Sequence, residues 1–146
     1  RMKFRTMAAV KNRYKPVLFN KLNTVLNFYD SRNYTITDVH ADHEFRCIRE
    51  EIRPIELDVC APDDYVHEVE RSIRTVKERV RCTMRSFPFK RIPRVMVKSV
   101  VEKAVKDLNQ LPARNGIANT MSPLTMMTEK TFPDYDTLLL EFGTYA

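Results

Sequence analysis

Two stretches, Thr35-Ile36-Thr37-Asp38-Val39-His40-Ala41-Asp42 and Ile55-Glu56-Leu57-Asp58-Val59-Cys60, break an otherwise helical pattern. The first gathers Thr, Ile and Val after Asn33 and predicts a strand over residues 35–40 that delivers Ala41 and Asp42 at its carboxyl end. In the second, Ile55, Leu57 and Val59 alternate with Glu56, Asp58 and Cys60, the two-residue period of an edge strand with one wet face. Between them residues 44–53 predict a short helix, which Pro54 stops.

On the amino-terminal side, Leu18, Leu22, Val25 and Tyr29 recur at helical spacing, so a helix is expected from Lys15 to Ser31 with Pro16 in its first turn. Residues 1–9 alternate loosely around Met2, Phe4 and Thr6 and read as the tail of a strand. On the carboxyl-terminal side, residues 61–66 hold Pro62, Asp63 and Asp64 and read as a loop. Val69, Ile73, Val76, Val80, Met84 and Phe87 then form one apolar stripe of a helix over residues 67–87, expected to face a core and to end at Pro88. Another stripe, Val97, Val101, Ala104, Leu108 and Leu111, broadened by Val100 and Val105, runs from Pro93 to Pro112. The tail carries turn signals at Asn115-Gly116, Ser122-Pro123 and Pro133-Asp134, a helical turn over residues 124–128 and a late strand candidate over residues 138–142. Strands separated by helices imply an α/β domain and not a helical bundle.

The chain has 146 residues, 43% of them apolar and 30% charged, which suits one folded domain or a piece of one. It opens on Arg1 and is read as a fragment. Three cysteines without a C-x-x-C pair argue against a disulfide framework or a zinc ribbon and suit a reducing, intracellular compartment. No uninterrupted apolar run reaches membrane-spanning length and no signal-peptide pattern opens the chain, so no membrane partner is expected. With only Gly116 and Gly143, nucleotide-cradling and nucleophile-elbow motifs are excluded.

Charge is where the sequence becomes informative. The whole chain carries 25 Lys+Arg against 19 Asp+Glu, a net +6. Residues 71–98 hold ten basic residues against the single acid Glu78, so this segment alone is +9 and the remainder −3. Because the signs do not alternate, intrahelical pairing does not absorb the excess, and a phosphate backbone rewards such a patch through counterion release. Nucleic acid is the expected polyanion. Glu70 opens the same helix, with Arg74 and Lys77 at i+4 and i+7, while Asp42 leaves a strand end 28 positions earlier, where open α/β sheets place their chemistry. A carboxylate pair from these two places suits divalent metal, which takes hard oxygen ligands. His40, His43 and Cys47 have a spacing that touches zinc chemistry without an obvious fourth ligand. Cys82, among arginines with no histidine near in sequence, reads as a partly buried structural thiol.

Three stretches in order carry a family resemblance. Val39-His40-Ala41-Asp42-His43-Glu44-Phe45 is similar to a strand end followed by T-D-N-G-x-E-F, and Val69-Glu70-Arg71-Ser72-Ile73-Arg74-Thr75-Val76 to A-E-R-x-N-R-T-L. The third, Ser122-Pro123-Leu124-Thr125-Met126-Met127-Thr128-Glu129-Lys130 with Leu140-Glu141-Phe142-Gly143-Thr144-Tyr145, is similar to T-P-x-E-L-x-x-G-K and L-R-x-F-G-C-x-A-Y. Together they resemble the integrase catalytic core of copia-type retrotransposons, across nearly the whole chain.

The resemblance implies an incomplete RNase H-like α/β fold with its late strands present, its first strands missing from the chain, core elements over residues 10–112 and a carboxyl-terminal extension over 113–146. It implies metal-dependent 3′-end processing and strand transfer of DNA, with two Mg²⁺ or Mn²⁺ ions held by an Asp, Asp, Glu triad. Carried across, Asp42 matches the second aspartate and Glu70 the glutamate, both catalytic and metal-binding, and the first aspartate falls before Arg1. Arg71, Arg74, Lys77, Arg81 and Arg85 are the expected nucleic-acid contacts. A nuclear location and a homo-oligomer in the complete protein also follow from the resemblance. The chain departs from the family pattern where His43 replaces asparagine, no glycine follows Asp42, Ile73 replaces a polar asparagine and the loop before Glu70 is shortened. A catalytically inactive basic DNA- or RNA-binding module, or a degenerate copy of an element, is the alternative expectation.

Overall fold

The computed structural model describes residues 2–60, 67–88, 91–114, 116–129 and 142. They form a mixed α/β structure with a small two-stranded parallel sheet. The chain divides into two compact units, one formed by Ala8–Glu70 and the other by Arg1–Met7 with Arg71–Ala146.

In the Ala8–Glu70 unit, helix α1 (Lys15–Asp30) begins with Pro16 in its first turn, and the Tyr14 carbonyl accepts from the Val17 and Leu18 amides at 2.9 and 3.1 Å. The helix ends where Asn33 takes a positive φ of 60°, a conformation asparagine tolerates better than most residues. Strand β1 (Asp38–Ala41) pairs in parallel with β2 (Glu56–Val59), in the register Asp38 to Glu56 through Ala41 to Val59. The predicted strand over residues 35–40 is therefore shifted toward the carboxyl end. Thr37 contributes only its carbonyl, which accepts from Glu56 N at 2.8 Å.

Parallel strands need a crossover, and here it is a 3₁₀ helix (His43–Ile48) followed by turns, so the short helix predicted over residues 44–53 is 3₁₀ and ends five residues earlier. Ile48, Ile52 and Leu57, at 0%, 4% and 1% exposure, form the centre of this unit, with Phe19, Leu22, Val39, Ala41, Phe45 and Val59 packed around them. The opposite sheet face carries exposed Asp38, His40, Glu56 and Asp58, as the alternation in the second strand predicts. His40 Nδ1 donates to Asp58 Oδ2 across the register at 2.8 Å. Glu56 N and Cys60 N donate to β1-side carbonyls, so the Leu57 carbonyl points to the outer edge of β2, where Arg49 Nη2 caps it at 3.1 Å. Arg13 pairs with Glu44 and Lys15 with Glu51, tying the start of α1 to the crossover.

The other unit is helical. Helix α2 (His67–Arg85) has its unit boundary between Glu70 and Arg71, and α3 (Arg94–Gln110) starts after Pro93, as predicted. Helix α4 (Pro123–Thr128) is capped by Ser122, whose Oγ accepts from Thr125 N at 3.1 Å. Val100 and Ala104 of α3 are buried at 1% and 3% exposure, as are Met127 of α4, at 2%, and Pro123.

Three expectations fail in this unit. No α2 residue with a described side chain is buried, and Val69 and Ile73 are 49% and 48% exposed, because no other described element packs extensively on this stripe. Leu111 is the exposed residue following α3, whereas Asn109 and Gln110 are buried in its last turn. Residues 2–9 form no strand. Instead the Asn109 side-chain amide takes the place of a neighbouring strand, accepting from Arg5 N through Oδ1 at 2.9 Å and donating through Nδ2 to Arg5 O at 2.7 Å. This pairing is why a polar residue is buried there. The loop over residues 61–66 and the strand candidate over residues 138–142, apart from Phe142, lie outside the described residues.

Candidate nucleic-acid interface

Five basic residues of α2 supply most of the candidate surface. At about 100° and 1.5 Å per residue, Arg71, Arg74, Lys77, Arg81 and Arg85 fall within an arc of about 120° and span about 21 Å of helix. All five are exposed. Among the described residues none of them forms an ion pair, although Glu78 lies four residues after Arg74 and three before Arg81. Helix α3 handles its lysines differently, with Lys98 paired to Glu102 at 3.5 Å and Lys103 to Asp107 at 2.9 Å. The five α2 cations thus remain available to an external anion, while two of the four α3 cations are answered inside the helix.

Asp42 directly follows β1 and is exposed. Its backbone is extended, with φ −65° and ψ 156°, and its Oδ1 accepts from His43 N at 2.7 Å, capping the 3₁₀ helix. One carboxylate oxygen thus has a structural partner. Glu70 is exposed in the first turn of α2, where a negative charge is favoured by the helix dipole. Each offers hard oxygen donors of the kind Mg²⁺ and Mn²⁺ take. Among the described residues, however, no three His, Cys, Asp or Glu side chains gather into a metal-sized group, so the two carboxylates are at most part of a donor set.

The zinc-like spacing likewise yields no cluster among the described residues: His40 is held by Asp58, and Cys47 Sγ donates to the Glu44 carbonyl at 3.3 Å. Cys82 is exposed, not partly buried, because it lies on an uncovered flank of α2. All three cysteines are free, as expected.

A residue that spacing does not reveal adjoins α2. Arg5 Nε donates to Ser72 Oγ at 2.9 Å, and its Nη1 donates to the Lys3 carbonyl at 3.3 Å. Partial burial lowers the Arg5 pKa from its ordinary value. Residues 5, 72 and 109 are brought together by tertiary docking, and no motif links them.

No protein-family model, curated protein or solved structure matches the chain. No helix among the described residues is long and apolar enough to cross a membrane.

Proposed function

We propose that the chain is part of an RNase H-like DNA integrase core of the copia retrotransposon type, in which α2 is the DNA-positioning helix. The observation that carries this reading is the free basic stripe that begins directly after Glu70. The strand-end position of Asp42 in a parallel pair supports it.

In this reading Arg71, Arg74, Lys77, Arg81 and Arg85 bind successive phosphates and set the register of DNA, carrying little sequence information themselves. Asp42 and Glu70 are the chain's contributions to a site for Mg²⁺ or Mn²⁺, with a further aspartate supplied from upstream sequence. Held there, Mg²⁺ or Mn²⁺ would supply activation of a water or a 3′ hydroxyl and stabilisation of charge on the phosphodiester oxygens. Asp42 keeps its free oxygen for this role while the cap bond to His43 N holds the carboxylate in place. A nuclear location and homo-oligomerisation belong to the same proposal.

A second reading is a nonenzymatic basic module that holds DNA or RNA. It is favoured by the capping bond that gives Asp42 a structural role independent of metal. Strand-transfer assays on the complete parent protein separate the two. The integrase reading expects Mg²⁺-dependent joining that Asp42→Asn and Glu70→Gln each abolish, with DNA binding retained. Full joining activity in both variants refutes it, and wild-type binding without joining leaves the module. For binding itself, five neutralised phosphates give a slope of log affinity against log salt of about −4.5.

A further inference from the structure

The Arg5 guanidinium is a cation that the fold holds in place without giving it a charged partner among the described residues. Its backbone N–H and C=O are both bonded by the buried Asn109 amide, at 2.9 and 2.7 Å, so the segment carrying it is fixed. The guanidinium is half-buried and engages two neutral oxygens, Ser72 Oγ and the Lys3 carbonyl. Among the described residues no carboxylate pairs with it. Of a guanidinium's five N–H donors, two are used, so three remain.

We propose that Arg5 is a phosphate-binding residue beside α2, on the Ser72 side about 100° around the helix from Arg71, and that a nucleic-acid phosphodiester is its counter-ion. The proposal rests on the reading of α2 as a nucleic-acid surface. A charge partly withdrawn from water is costly unless it is paired, and an arriving phosphate offsets that cost. The planar fork suits two phosphate oxygens at once, and the net +10 charge of its unit favours a polyanion over an isolated carboxylate. Ser72 and Asn109 are positioning residues: they restrict the arginine before binding, which reduces the ordering cost on association.

The test measures binding of the full chain to a duplex DNA by fluorescence anisotropy across a salt series, for wild type, Arg5→Met, Arg5→Lys and Arg74→Met. Arg5→Met is expected to make the slope of log affinity against log salt shallower by about 0.9, the value for one phosphate. Arg5→Lys keeps the charge and is expected to keep the slope while weakening affinity through loss of the fork. A slope unchanged in Arg5→Met but shallower in Arg74→Met overturns this inference and leaves the α2 reading standing. A wild-type chain without salt-dependent binding overturns the α2 reading itself. Should Arg5→Met lose its helical circular dichroism, the Arg5 Nε–Hε resonance of the wild type is followed during DNA titration. A saturable shift supports the contact, and an unmoved resonance at saturation overturns it.

Discussion

The two units solve opposite electrostatic problems. Ala8–Glu70 holds 8 Lys+Arg against 12 Asp+Glu, a net −4, and ties several of its charges internally, through Arg13–Glu44, Lys15–Glu51, Arg53–Glu50 and His40–Asp58. The remainder holds 17 against 7, a net +10, and its densest cations, on α2, have no ion pair among the described residues. The acidic unit has a compact apolar centre of Ile48, Ile52 and Leu57 beneath a parallel strand pair. In the basic unit the most amphipathic helix has no described side chain buried. One unit is thus organised around packing, and the other displays its cations on the exposed face of α2.

The contrast is broken most severely in the apolar centre. Leu57→Ala should destabilise the sheet unit by about 2–5 kcal/mol, the usual range for a buried leucine, whereas Arg74→Ala on exposed α2 should stay within about 0.5 kcal/mol. Urea unfolding of both variants measures the difference, and equal losses would refute the division between packing and display.

Next comes the polar clamp of the basic unit. Asn109→Ala leaves the Arg5 amide and carbonyl without their partner and should cost about 1–3 kcal/mol, with faster hydrogen exchange at the Arg5 amide. Unaltered exchange there would mean that the amide does not hold this segment.

A smaller effect separates structure from chemistry at Asp42. Asp42→Ala should cost about 1 kcal/mol through loss of the cap, whereas Asp42→Asn, an equally good capping residue, should be nearly neutral in stability. If thermal unfolding shows the two variants equally destabilised, the carboxylate charge and not the cap is what the fold uses.

The weakest effect is a pH dependence at the start of α1. The hydrogen bond from Lys15 holds the Glu51 carboxyl below its ordinary value, and the same bond raises the Lys15 ammonium. The Glu51 contribution is therefore complete above the unfolded carboxylate value of about 4.3 and is lost as pH falls through its lower folded value. The Lys15 contribution is complete below about 10.4 and is lost as pH rises through its higher folded value. Both groups are solvent-screened, so Glu51→Gln should flatten the acid limb of the melting profile only slightly. A profile whose acid limb steepens in this variant would contradict the sign.

Elements with a strong local period are legible in the amino-acid sequence. Pro16 and the three-and-four spacing place α1, Pro93 places α3, Ser122-Pro123 places α4, and the alternation through Leu57 assigns one buried and one wet face to β2. The exception within α2 is instructive: its stripe from Val69 to Phe87 correctly marks a helix, but periodicity does not state whether another layer covers the apolar side. Similarly, the crossover between the strands opens with a 3₁₀ helix capped by Asp42, and the local pattern of residues 44–53 does not distinguish that form from an α-helix.

The basic stripe of the candidate site is legible too, because its five residues recur along one face of one helix. Helix phase, charge balance and strand alternation are local properties, encoded by side chains a few positions apart. Tertiary docking alone joins Arg5 to Ser72 across 67 positions and to Asn109 across 104. Those hydrogen bonds exist only when distant segments pack against one another, so burial of Asn109 and retention of a half-buried arginine have no counterpart in any local pattern.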